Sequence, residues 1–330
     1  MGIDLGPPFG DVGSIGFGTM GLTWRGTPAT DEESFPVIKK AIDAGLKYLN
    51  AGVFYGPPDD IHANLKMLGR FFDKYPEYVS KSFISVKGGL NGMKPDSSDS
   101  RLRQDIELSN KLLGKAHVNL FECARVDQSR PIEETMKALS DLVKEGLIDY
   151  IGLSECKAET IRRAHAVHPV AVVEVEFSPW EMTIIDNGVL STCEELGIPI
   201  APYSPLGKGM LGGRIKSLKD IPAGDVRLHQ DRFANEDIFS KNLKLAQTFA
   251  DLAKSLKLAP ATLALAWAKT RYDKLLPLPG TTRVEAVEEL AAAANVNFDP
   301  EDLKKINQSI ENAQPHGERY MAAARGSLWG

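Results

Sequence analysis

Short runs of aliphatic and β-branched residues alternate along the chain with longer stretches whose apolar residues recur every three to four positions. The apolar runs predict eight strands, at 14–18, 48–53, 83–87, 118–123, 150–154, 170–177, 198–203 and 275–279. Helical spacing covers 32–44, 60–72, 102–114, 132–144, 158–166 and 188–196, then 243–256 with 262–270, and finally 284–294. A strand followed by a helix, roughly every 30 to 45 residues, points to parallel strands, because a parallel connection needs a crossover of helix size. Eight such units without a break in composition close into one (β/α)8 TIM barrel, so residues 1–330 are expected to form a single domain. The first helix carries its own start signal in Thr30-Asp31-Glu32-Glu33, a capping box with acids at the positive helix end.

Two segments fall outside the repeat. Residues 205–235, after strand 7, are rich in Gly, Lys, Asp and Pro; structureless loops of that length are usually covers over a site, so this one is expected above the barrel mouth. An appendage over about 299–330 adds a capped helix near 299–312 and a tail with Arg319, Tyr320 and Trp329, expected to pack against the barrel.

Composition narrows the chemistry. With 43% hydrophobic and 25% charged residues the chain can build a large core. The net charge of −5 gives no general attraction to nucleic acid or anionic membrane, which leaves small molecules as partners. Three cysteines without C-x-x-C spacing argue against a disulfide framework or a zinc site and suit a reducing compartment. The N-terminus lacks a basic stretch followed by an apolar one, and no uncharged run is long enough to span a bilayer, so a cytoplasmic protein is expected. Nothing in the composition speaks to oligomeric state.

Candidate chemistry sits at two strand ends. Tyr55 follows the second predicted strand and Lys87 ends the third. In a parallel barrel both ends open on the same face, where an ammonium beside a phenol favours the phenolate and is expected to bring the tyrosine pKa down. Such a phenol can protonate a carbonyl oxygen. Gly16-Phe17-Gly18-Thr19-Met20-Gly21 and Gly207-Lys208-Gly209-Met210-Leu211-Gly212 both match G-x-G-x-x-G, but neither opens a helix directly and the next strand offers Asn50 in place of an acid, so neither is a Rossmann fingerprint. His165 and His168 lack a carboxylate or cysteine partner nearby and Pro169 ends their segment, so no metal site is expected.

Taken together, the first glycine cluster, Phe54-Tyr55-Gly56, the Lys87 strand end, Pro131-Ile132-Glu133-Glu134-Thr135, Tyr150-Ile151-Gly152-Leu153-Ser154, Glu176-Phe177-Ser178-Pro179-Trp180, Ala201-Pro202-Tyr203-Ser204-Pro205-Leu206-Gly207-Lys208-Gly209 and Pro279-Gly280-Thr281-Thr282-Arg283 resemble the aldo-keto reductases, barrels that use nicotinamide cofactors. The family's tetrad is Asp, Tyr, Lys and His. Tyr55 and Lys87 match it, whereas Asn50 stands at the Asp position and Ala124 at the His position. A subgroup of fungal pyridoxal reductases is more similar still, through the strand with Asn50, the fourth strand without His and the Arg-Tyr tail. The resemblance implies an NADPH-dependent aldehyde reductase with Tyr55 as general acid, Lys87 tuning it and Asn50 orienting Lys87. It implies Gly18, Thr19 and Met20 near the cofactor, Ser154 and Glu176 on the carboxamide, and Phe177 or Tyr203 over the nicotinamide. Ser204, Pro205, Leu206, Gly207, Lys208 and Gly209 would wrap the pyrophosphate. Gly280, Thr281, Thr282 and Arg283 would meet the adenosine 2′-phosphate, and Glu289 the adenine. Trp24, Phe54, Arg125 and Trp180 would border the aldehyde. The alternatives are an aryl-aldehyde reductase of the same chemistry and a non-catalytic subunit that binds NADPH.

Overall fold

A computed structural model describes residues 2–92, 94–222, 225–320 and 326–330. Seven parallel strands are hydrogen-bonded in chain order: β1 (Phe17–Gly18), β2 (Tyr48–Gly52), β3 (Phe83–Gly88), β4 (Leu120–Cys123), β5 (Tyr150–Ser154), β6 (Val170–Glu176) and β7 (Ile200–Tyr203). The eighth expected strand closes the ring without becoming a regular one. Leu276 and Leu278 donate to the Ile200 and Pro202 carbonyls, while Gly16 and Gly18 donate to those of Pro277 and Pro279. Two prolines without an N–H thin this ladder to isolated bridges.

Around the ring lie α1 (Asp31–Asp43), α2 (Ala63–Lys74), α3 (Asp99–Leu113), α4 (Ile132–Lys144), α5 (Ala158–Val167), α6 (Val189–Leu196), α7 (Glu236–Ser255), α8 (Pro260–Lys269) and α9 (Val284–Ala292), with α10 (Pro300–Glu311) beyond them. The capping box at Thr30 is formed on both sides, Thr30 Oγ1 accepting from the Glu33 amide and the Glu33 carboxylate from the Thr30 amide.

The segment over 205–235 departs from the structureless loop expected of it. It holds 3-10 turns at Gly207–Gly212, Leu218–Asp220 and Val226–His229 and a helical turn at Asp231–Ala234; residues 223–224 lie outside the described chain. Local side chains hold these turns: Asp220 accepts from the Lys216 and Ser217 amides, and Asp225 from the Arg227 amide. Such bonds leave no hydrophobic period to read. Helix α7 begins at Glu236, ahead of the expected start, because Asn235 Oδ1 accepts from the Asp237 and Ile238 amides.

The barrel interior is layered by the two-residue alternation of its strands. Tyr48, Phe83, Leu120, Tyr150, Val172 and Ala201 form the floor, and an N-terminal hairpin adds Ile3 and Val12 beneath it. The Tyr150 hydroxyl pins the hairpin, donating to the Gly6 carbonyl at 2.7 Å. Two and four residues further along the same strands the inward positions change character, to Asn50, Ser85, Glu122, Gly152, Glu174 and Tyr203, then Lys87, Ala124, Ser154 and Glu176. Polar groups therefore fill the upper barrel over an apolar floor.

Candidate active site

Strand pairing sets Gly52 beside Lys87 and Lys87 beside Glu122. Lys87 Nζ donates to Glu174 Oε1 at 2.5 Å, Asn50 Oδ1 at 3.0 Å and Glu122 Oε1 at 3.4 Å. Asn50 uses its other end as well, Nδ2 donating to Glu174 Oε2 at 2.6 Å. All four side chains are buried. Burial works against the ammonium, but Glu174, Tyr55 and Glu122 outweigh it and hold the Lys87 pKa well above its ordinary value. Glu122 is pushed strongly upward, first by burial and then by the charge of Glu174, against the pull of Lys87. Its Oε2 is buried and, among the described residues, has no hydrogen-bond partner. Of the two carboxylates Glu174 makes the closer ion pair with Lys87, at 2.5 Å against 3.4 Å for Glu122.

Tyr55 stands over this cluster, its ring centre 5.7 Å from Lys87 Nζ. Gly52 makes its seat: a Cβ there would come within 2.9 Å of the Tyr55 ring. Trp24 stacks on Tyr55 at 5.7 Å and Phe54 meets it edge-on at 5.2 Å, while Trp24 keeps 38% of its surface exposed. The phenol pKa runs opposite to the expected lowering. Burial pushes it up to about 12 against the opposing pull of Lys87, so Tyr55 holds its proton at neutral pH. Asn50, Lys87 and Tyr55 are brought together as the sequence suggested. Glu122 and Glu174 escaped notice, although counting by twos from Leu120 and Val172 turns both inward with Lys87.

A second cluster lies higher, where the tail enters the barrel mouth. Arg319 donates to Glu155 Oε2 at 2.7 Å and to Glu176 Oε2 at 3.3 Å, and its own carbonyl accepts from Lys208 Nζ at 2.5 Å. The Tyr203 hydroxyl donates to Glu155 Oε1 at 2.8 Å and lies 2.9 Å from that of Tyr320. Arg319 sits over the Trp329 ring at 5.0 Å. Burial raises the Glu176 pKa against Lys208 and Arg319, and brings that of Lys208 down to about 8. Glu155, held at φ +52° in the left-handed region, had no sequence signal, since its partner is 164 residues away.

Several residues fit the dinucleotide that the fold implies. Among the described residues Ser154 Oγ and Arg283 Nη2 are both buried without hydrogen-bond partners, one inside the barrel mouth and the other at the start of α9. Buried polar atoms are rarely left unpaired, and a helix start with a guanidinium suits a phosphate. Between them the Ser204–Gly209 turn takes positive φ at Ser204, Gly207, Lys208 and Gly209, the backbone shape that turns amides toward an anion. Gly18 and Gly280 approach closely, a Cβ on Gly280 falling 2.8 Å from the Gly18 oxygen. Met20 is exposed beside them.

Other expected contacts need correction. Phe177 is fully buried and stacked on Trp267 at 5.5 Å, so it packs the barrel wall and has no face for a nicotinamide. Trp180, 4% exposed, lies against Gly207 beneath the loop and gives a substrate almost no surface. Thr19 is buried, its hydroxyl donating to the Asn50 carbonyl at 2.8 Å, which makes it a support for β2. Glu289 lies 3.6 Å from Arg214 of the long loop. Arg125 is half-buried with its guanidinium 6.0 Å from the Tyr320 ring, and among the described residues it has no carboxylate partner.

Residues 14–311 match the Aldo/keto reductase family. The chain belongs to that family. This reductase is 37% identical over 319 residues to a probable pyridoxal reductase 2 of Schizosaccharomyces pombe, covering 94% of this chain and 95% of that one. It is 36% identical to the aldo-keto reductase yakc [NADP(+)] of the same yeast, covering 96% of this chain and 94% of that one. The solved structure of a glycerol dehydrogenase from Gluconobacter oxydans superposes with a TM-score of 0.79 at 22% identity, over 94% of this chain and 96% of that one, and supports the barrel fold. As a family member the protein is an oxidoreductase that works with a nicotinamide cofactor.

Proposed function

We propose that this reductase uses NADPH to reduce an aromatic aldehyde, with pyridoxal as the leading substrate. The observation that carries the reading is Tyr55: a phenol that keeps its proton at neutral pH, set above a buried ammonium and walled by the part-exposed Trp24. When bound, the cofactor supplies hydride to the carbonyl carbon. Tyr55 gives its proton to the carbonyl oxygen, and Lys87 stabilises the phenolate left behind. Trp24 and Phe54 hold a flat ring by their faces and edges.

Ser154 and Glu176 would hold the carboxamide. Glu176 has an oxygen to spare for this, since Oε2 takes Arg319 while Oε1, among the described residues, meets Lys208 no closer than 3.9 Å. The unpaired Arg283 nitrogen supports a 2′-phosphate and hence NADPH, as does a relative named for NADP(+). Ala124, buried at the end of β4, can donate nothing to the carbonyl through its side chain. Pyridoxal carries a phenol next to its aldehyde that fills this need from within the substrate, and a relative named a probable pyridoxal reductase points the same way. NADPH oxidation measured with pyridoxal, its phenol methyl ether, nitrobenzaldehyde and no aldehyde tests the reading. Turnover should be fastest with pyridoxal and drop sharply with the ether. Equal rates for pyridoxal and its ether would overturn the substrate assignment, and no oxidation with any aldehyde would overturn the activity.

A further inference from the structure

Resting on Tyr55 as proton donor, we infer that Glu174 is a positioning residue for the reduction: its carboxylate is the charge that keeps Lys87 an ammonium beneath the phenol. Lys87 faces three oxygen acceptors, and one buried cation is balanced by one buried anion. Glu174 is that anion. Its contact to Lys87 is 2.5 Å against 3.4 Å for Glu122, and both its oxygens are bonded, one by Lys87 and one by Asn50, whereas Glu122 Oε2 has no hydrogen-bond partner among the described residues.

Asn50 follows from the same arrangement. Its amide accepts from Lys87 and donates to Glu174 Oε2 at 2.6 Å, so it links cation and anion with both ends in use. An acid at position 50 would set a second carboxylate against the first at that distance, a like-charge contact in a buried site. The cluster accommodates a negative charge at position 50 or at position 174, and this chain places it at 174. Exchanging the two side-chain types, Asn50→Asp with Glu174→Gln, moves the charge across the contact while keeping one amide, one carboxylate and one ammonium.

The exchange is testable in four proteins: wild type, Glu174→Gln, Asn50→Asp and the double variant, each carried through kcat against pH and through thermal melting. In Glu174→Gln the Lys87 pKa falls, because its nearer carboxylate is gone while burial remains and Glu122, at 3.4 Å, is left as the more distant partner. Activity then persists at low pH and disappears at a lower pH than in the wild type, with kcat near neutrality down on the order of tenfold or more once that pKa lies about a unit below the assay pH. Asn50→Asp loses activity through carboxylate repulsion, and both single variants melt below the wild type. The double variant recovers the pH profile and the melting temperature. An unshifted profile in Glu174→Gln, or single losses that simply add in the double variant, overturns the inference while leaving the reductase reading intact. A wild type inert toward every aldehyde defeats the reductase reading instead, and the melting cycle still decides whether the charge belongs to Glu174, since coupling of the two positions needs no turnover.

Discussion

At Tyr55 two influences of opposite sign meet, and their balance decides the direction of the chemistry the residue can start. Desolvation favours the neutral phenol and the Lys87 ammonium favours the phenolate; desolvation wins and the pKa rises to about 12. A donor must enter the reaction protonated, and the cation matters afterwards, when the phenolate needs stabilising. Sequence reasoning found the pair but assigned the sign from the cation alone, because the depth of burial is set by how Phe54 and the seat at Gly52 fold against the ring and by Trp24, which reaches it from a distant loop. Tyr55→Phe removes the donor and keeps the ring that stacks on Trp24. Turnover should fall by about 10² to 10⁴, the usual worth of a general acid, while NADPH binding followed by quenching of protein fluorescence stays near the wild-type value. A variant that retained wild-type turnover would place the proton donor elsewhere.

Among the strands, periodicity carried most of the information. Each of β2 to β7 lies where its apolar run predicts, and the alternation of inward and outward residues was available to place Glu122 and Glu174 beside Lys87. What the pattern does not reveal is the space a partner strand must leave. Glycine at 152 on β5 leaves it for Glu122: a Cβ there would stand 2.7 Å from Leu120 Cδ2, 3.2 Å from Glu122 Cβ and 3.3 Å from Glu122 Oε2. The buried Leu120 Cδ2 would have to turn aside in a filled floor layer, and Glu122 Cβ, fixed by β4, would have to give by a few tenths of an ångström. Gly152→Ala should lower stability by about 1 to 3 kcal/mol, as overpacking of a filled interior does. Chemical denaturation of the two proteins checks this, and an unchanged midpoint would mean the β4–β5 contact yields more easily than its geometry indicates.

For the whole molecule the barrel was legible and the path of its tail was not. Local patterns define strands and helices, but the contact of Arg319 with Glu155 joins residues 164 positions apart, and nothing periodic marks either of them. The tail completes the mouth by charge. Arg319 is 8% exposed and bonded to two buried carboxylates, and Lys208 holds its carbonyl. Removing a single partner from a buried ionic group typically costs about 3 to 5 kcal/mol, because the charges left behind stay desolvated. Arg319→Met keeps an unbranched apolar stem in place of the charged head and should cost an amount of that order at neutral pH. The pH dependence has a definite sign. Without the guanidinium the Glu176 pKa in the folded protein, already raised by burial, rises further above its unfolded value, so the variant keeps more of its stability at low pH and loses it as pH climbs through that raised value. Unfolding free energies of wild type and variant should therefore converge toward acid and diverge toward alkali. A gap that widened on acidification instead would show that Arg319 fastens the tail by packing on Trp329 rather than by its bonds to the two acids.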